Sequence, residues 1–114
     1  MVKSIHLAAA VLSGLLILPA GAQDAPTLQI YTYDGFAADW GPGPALAEGF
    51  EAQCGGCTVE FIAADSSIGT LRRVQLEGDT TPADLIVGLD TAVAGEARAT
   101  GLFAEHGLDL QNLD

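Results

Sequence analysis

The run Leu85-Ile86-Val87-Gly88-Leu89 contains no polar residue. A strand with one wet face alternates polar and apolar side chains, whereas an unbroken apolar run marks a strand covered on both faces, as in a parallel sheet. The third strand is therefore expected over Ala83 to Leu89. Two other segments are β-rich. Leu28-Gln29-Ile30-Tyr31-Thr32-Tyr33 has a period of two, and in Thr58 to Ala63 the residues Val59, Phe61 and Ala63 alternate against Glu60. A helical pattern follows each strand. Asp34 to Gly43 reads as a loop broken by Gly35, Gly41, Pro42 and Gly43, and Pro44 suits a first helical turn. Ala45 to Ala52 then forms a short helix with Leu46 and Phe50 on one side, and Gly55-Gly56 ends it. Ser67 is expected to cap a second helix carrying Ile68, Leu71 and Val74, with Arg72 and Arg73 outward. Asp90 is expected to cap a third helix that stops at Gly101.

Strand–helix alternation of this kind implies an α/β fold, a parallel βαβαβα unit with right-handed crossovers. All strands of such a sheet end at one edge, where ligands of open α/β folds bind. Three loops then converge: Asp34 onward, Asp65-Ser66-Ser67, and Asp90 with its successor. The first carries Tyr33, Asp34, Phe36, Asp39 and Trp40, the one tryptophan of the chain. Aromatic faces attract cations by roughly 0.5–2 kcal/mol each and stack on flat heterocycles; nearby carboxylates complement positive charge. The plainer role for Tyr33 and Trp40 is packing on the first helix. Asp65-Ser66-Ser67 opens a helix, whose free N–H donors suit an anion, although capping is the simpler reading of Ser67. Asp90 is open in the same way between a cap and a crevice residue.

Met1 to Ala22 has the form of a cleavable secretory signal: Lys3 near the start, an apolar run from Leu7 to Leu18, then Pro19 and Ala20-Gly21-Ala22. The run is shorter than the roughly 20 apolar residues that span a bilayer, so no membrane anchor is expected after cleavage before Gln23. Residues 23–114 form the second segment. It keeps three arginines against all 15 acidic residues of the chain. Such an acidic surface repels phosphate backbones and argues against nucleic-acid binding. Export permits disulfides. Cys54-Gly55-Gly56-Cys57 follows a helix instead of opening one, so a structural disulfide is favoured over a catalytic pair, whose thiol would need a helix N-terminus. His106, the one histidine outside the signal, has no metal or nucleophile partners in sequence. No G-x-S-x-G, H-E-x-x-H or P-loop occurs. No enzyme is expected, and neither a cofactor nor a metal.

The stretch Tyr31-Thr32-Tyr33-Asp34-Gly35-Phe36-Ala37-Ala38-Asp39-Trp40-Gly41-Pro42-Gly43-Pro44 resembles the opening of the periplasmic thiamine-binding proteins, the solute receptors of thiamine ABC importers. The resemblance continues through Ala83-Asp84-Leu85-Ile86-Val87-Gly88-Leu89-Asp90 and Thr100-Gly101-Leu102-Phe103-Ala104. It implies the first part of lobe 1 of a type II periplasmic binding protein fold, incomplete, since a family member runs much further and clamps its ligand between two lobes. It implies periplasmic capture of thiamine or its phosphate esters and delivery to a membrane permease driven by an ATPase. Tyr33 and Trp40 would wall the heterocycles, Asp34, Asp39 or Asp90 would offset the thiazolium, and Asp65, Ser66 and Ser67 would hold the tail. Where the family carries an acidic residue followed by glycine, this chain has Ser66-Ser67. A chain ending at Asp114 is expected to be an N-terminal fragment with poor affinity of its own. The rival readings are a polyamine receptor on the same fold and a small exported thiol-disulfide protein using Cys54 and Cys57.

Overall fold

The computed structural model describes residues 25–109 and 111; the segment read as a signal, 1–22, lies outside them. Three parallel strands form one sheet. β1 (Thr27–Tyr33) is central, with β2 (Thr58–Ala64) on one side and β3 (Leu85–Ile86) on the other. β1 and β2 pair in register from Thr27↔Thr58 to Tyr33↔Ala64. β1 and β3 pair at Ile30↔Leu85 and Tyr31↔Ile86.

Helices cover the sheet from both sides. α1 (Asp34–Ala37) and α2 (Gly43–Cys54) connect β1 to β2, α3 (Ser67–Glu77) leads toward β3, and α4 (Thr91–Ala99) follows it. Alternation along β1 separates the two faces. Tyr31, only 1% exposed, reaches α3, donating from its hydroxyl to Glu77 Oε1 at 3.1 Å while the Arg73 guanidinium lies 4.8 Å above its ring. Leu28 and Ile30 point the other way, toward the side of Leu46 and Phe50 on α2. A small apolar core of Leu71, Val93 and Ala97, with Leu89 packed against it, joins α3 to α4. Two buried hydroxyls lock α3 and β3 onto β1: Thr70 donates to the Thr32 carbonyl at 2.9 Å, and Thr32 donates to the Val87 carbonyl at 3.0 Å.

Several local expectations change. The stretch after β1 is not all loop, because Asp34–Ala37 makes one helical turn closed by Ala38 N–H donating to the Asp34 carbonyl at 2.9 Å. α2 is longer at both ends than Ala45 to Ala52. Ser66, not Ser67, is the N-cap of α3, and its Oγ accepts from Gly69 N–H at 3.1 Å. The third strand is shorter than Ala83 to Leu89 and is not covered on both faces: Leu85 is 48% exposed. β3 lies at the sheet edge, and flanking bonds from Asp84 and Val87 N–H to β1 carbonyls, with side-chain bonds at Asp84 and Thr32, prolong its pairing. Gly88, at φ +91°, then turns the chain away.

Candidate functional site

β1 passes to β2 on one side of the sheet and β2 crosses to β3 on the other, so the chain reverses direction between the carboxyl ends of β1 and β3. A parallel sheet opens a crevice at such a reversal. Tyr33 ends β1 there, and Gly88 follows β3. The phenol lies directly against Gly88: a methyl group at that position would overlap Tyr33 Cε1 and Cδ1. On its other side the ring meets Gly35, where a Cβ would sit 3.3 Å from Tyr33 Cε2 and 3.4 Å from Trp40 Cη2. The phenol and the indole therefore approach one another across a residue with no side chain. Trp40 is 83% exposed, so its indole is not buried against α2, the helix expected to cover it. Phe36 backs the phenol edge-on at 6.1 Å between centroids and itself contacts Phe61 edge-on at 5.9 Å.

The register places carboxylates beside this aromatic wall. Tyr33 pairs with Ala64, so Asp34 and Asp65 directly follow the ends of two neighbouring parallel strands, whose backbones run about 4.8 Å apart. Both are exposed. Asp65 Oδ1 accepts from Ser66 Oγ at 3.0 Å. Asp39, also exposed, lies next to Trp40 in the linker before α2.

Other expected site residues are occupied by the framework. Ser66 caps α3. Ser67 Oγ donates to the Gly88 carbonyl at 2.6 Å, tying the second loop to the third. Asp90 caps α4, its Oδ1 accepting from Ala92 and Val93 N–H at 2.8 and 3.2 Å. Gly88 thus receives the phenol of the first loop and the hydroxyl of the second. The sequence marked Gly35 only as a loop breaker and Gly88 only as part of an apolar run, although a glycine inside such a run can mark a close approach.

Cys54 and Cys57 are joined in a disulfide. Cys54 is the last residue of α2, which continues into Gly55 in the left-handed region at φ 68°, and Cys57 directly precedes β2. The C-terminal end of a helix dipole disfavours a thiolate, the reverse of what a catalytic thiol requires. His106 is exposed, and its Nδ1 accepts from Leu108 N–H at 3.0 Å in a local turn. Among the described residues, no three or more His, Cys, Asp or Glu side chains gather as a metal site, and no helix is long and apolar enough to cross a membrane.

No protein-family model matches the chain. It is 48% identical over 96 residues to the thiamine-binding periplasmic protein of Brucella suis biovar 1 (strain 1330), a match covering 84% of this chain and 28% of that protein. It is 43% identical over 94 residues to the protein of the same description from Escherichia coli K12, covering 82% and 28%. The corresponding Haemophilus influenzae protein is 37% identical over 102 residues, covering 90% and 31%. Among solved structures, a periplasmic thiamin binding protein superposes with a TM-score of 0.71 at 43% identity, over 84% of this chain and 29% of that one. The chain thus spans about 28% of the length of the curated relatives it matches first, in agreement with the α/β sheet and with the resemblance carried by its aromatic opening motif.

Proposed function

We propose that the rim at the carboxyl ends of β1, β2 and β3 forms one wall of a periplasmic thiamine site, serving uptake through a membrane permease of the ABC type. The observation that carries this reading is the placement of Tyr33 and Trp40 on either side of Gly35, with Asp34 and Asp65 at adjacent strand ends. Thiamine presents a cationic thiazolium, a flat aminopyrimidine and a hydroxyl or phosphate tail. The exposed indole of Trp40 and the half-buried phenol of Tyr33, beside carboxylates, match the first two. The start of α3 is the nearest source of N–H donors for the tail, with Ser66 and Ser67 fixing its position more than contacting ligand. This role is binding, not catalysis, in keeping with relatives that are named binding proteins.

A single wall leaves ligand open to water, and solvent weakens cation–π attraction. The chain by itself is therefore expected to hold thiamine more weakly than a relative about three times its length. Trp40 is the sole tryptophan and sits on the wall, so its fluorescence reports occupancy. Titration with thiamine should quench it saturably, and thiamine monophosphate should compete. Spermidine competing as well as thiamine would favour the polyamine reading, and no saturable response at millimolar thiamine would remove the site from this chain.

A further inference from the structure

We infer that Ser67 is a positioning residue for the Tyr33 phenol: it fixes the backbone of Gly88, on which the ring rests, and so sets the pose of the aromatic wall. The inference rests on the thiamine reading of the rim, and it gives Ser67 no contact with ligand. Gly35, Phe36 and Trp40 belong to the loop that Tyr33 opens. Gly88 comes from another strand, and it meets the ring with backbone alone. A side chain there would overlap Tyr33 Cε1 and Cδ1, so the phenol lies where residue 88 lets it lie.

Gly88 is a poor support unless something holds it. With no side chain, at φ +91°, its backbone has a freedom that other residue types lack. β1 holds the chain as far as Val87, whose N–H donates to the Tyr31 carbonyl at 2.9 Å and whose carbonyl accepts from the Thr32 hydroxyl at 3.0 Å. At Gly88 the anchor changes element: Ser67 Oγ donates to its carbonyl at 2.6 Å. Ser67 is the first residue of α3, and α3 is itself fixed on β1 by the Thr70 hydroxyl and covered by no solvent at Leu71 and little at Val74. The Ser67 hydroxyl has no competing duty, because Ser66 supplies the helix cap. A serine has one proton to donate, and this one goes to Gly88, which leaves none for a ligand. Contact thus runs from α3 through the turn after β3 to the end of β1.

The test is nuclear magnetic resonance of the chain as purified from the periplasm, with 13C in its tyrosine rings. There are two tyrosines, and Tyr31, bonded to Glu77 at the other end of α3, serves as the control. In Ser67→Ala the Overhauser cross-peak between the Gly88 α-protons and the Tyr33 ring should be lost, while the Tyr31 signals stay in place and show an intact fold. Ser67→Thr keeps a hydroxyl and should keep the cross-peak. Thiamine titration followed by Trp40 fluorescence should show affinity about 2- to 10-fold weaker in Ser67→Ala, the worth of one hydrogen bond, and unchanged in Ser67→Thr. A Tyr33 ring unmoved in Ser67→Ala would overturn the proposal; unmoved and with weaker binding, it would make Ser67 a ligand contact instead. A displaced ring with unchanged affinity, or equal loss in Ser67→Thr, would overturn it too. The ring signals need no ligand. A wild-type chain indifferent to thiamine would therefore remove the thiamine reading, while the ring would still show whether Ser67 holds it.

Discussion

Gly88 carries more of the rim than any polar residue near it. Its positive φ and its contact with the Tyr33 ring both exclude a side chain. Gly88→Ala should destabilise the fold by about 1–3 kcal/mol, read from urea denaturation, and should weaken thiamine binding by displacing the phenol. Trp40 is the opposite case. Its exposure means that Trp40→Ala should leave the denaturation midpoint unchanged while lowering thiamine affinity roughly 2- to 30-fold by calorimetry, the range of one cation–π partner. Loss of stability without loss of affinity would return the indole to a packing role. At this scale the sequence was legible for position, since Tyr33, Asp34 and Trp40 gather at the carboxyl end of β1 where strand–helix alternation puts them. It was not legible for Ser66 and Ser67, where one residue of helix phase decides which hydroxyl caps and which bridges to Gly88. Nor does Asp90 reveal by its type that both of its bonds go to its own helix.

Among the elements, α3 is pinned to the sheet by a network centred on Glu77. Its carboxylate accepts from Thr81 at 2.8 Å, from Arg73 Nε at 3.0 Å and from Tyr31 at 3.1 Å. These bonds, that from Thr81 foremost, hold the Glu77 pKa below its ordinary value of 4.5. Glu96 is lowered likewise by its bonds from Gln75 and Arg72. A depressed carboxylate pKa contributes stability above the unfolded value and loses it as pH falls through the folded one. Stability should therefore decline from about pH 4.5 downward, and Glu77→Gln should flatten that decline; an unchanged acid limb would remove Glu77 as its source. Tyr31 responds at the other end. Burial, first, and Glu77 raise its pKa above 10.0, so its contribution is lost as pH climbs through that raised value. The disulfide closes a very short loop, and its removal in Cys54→Ser, Cys57→Ser should cost about 2 kcal/mol in urea denaturation. Strands and helices were readable because β-branched runs, glycine stops and caps act locally. The length and coverage of β3 were not, since edge position is settled by which other elements pack, and an apolar run looks the same whether its cover is present or absent.

For the whole molecule, the parallel sheet separates its two ends. Every strand begins at one edge and finishes at the other, with the β1 and β2 ladders seven residues long. The disulfide, set just before β2, lies at the starting edge, while Tyr33, Asp34 and Asp65 lie at the finishing edge. At about 3.3 Å per residue the interval is on the order of 20 Å. Glu51 also anchors the starting edge, its Oε1 accepting from Val59 N–H at 2.7 Å, so α2 stays attached to β2 there without the sulfur bridge. The rim that carries Tyr33 and Trp40 is thus insulated from the oxidation state of the disulfide. A reductant that opens the bridge would make the protein easier to melt and leave its ligand preference untouched.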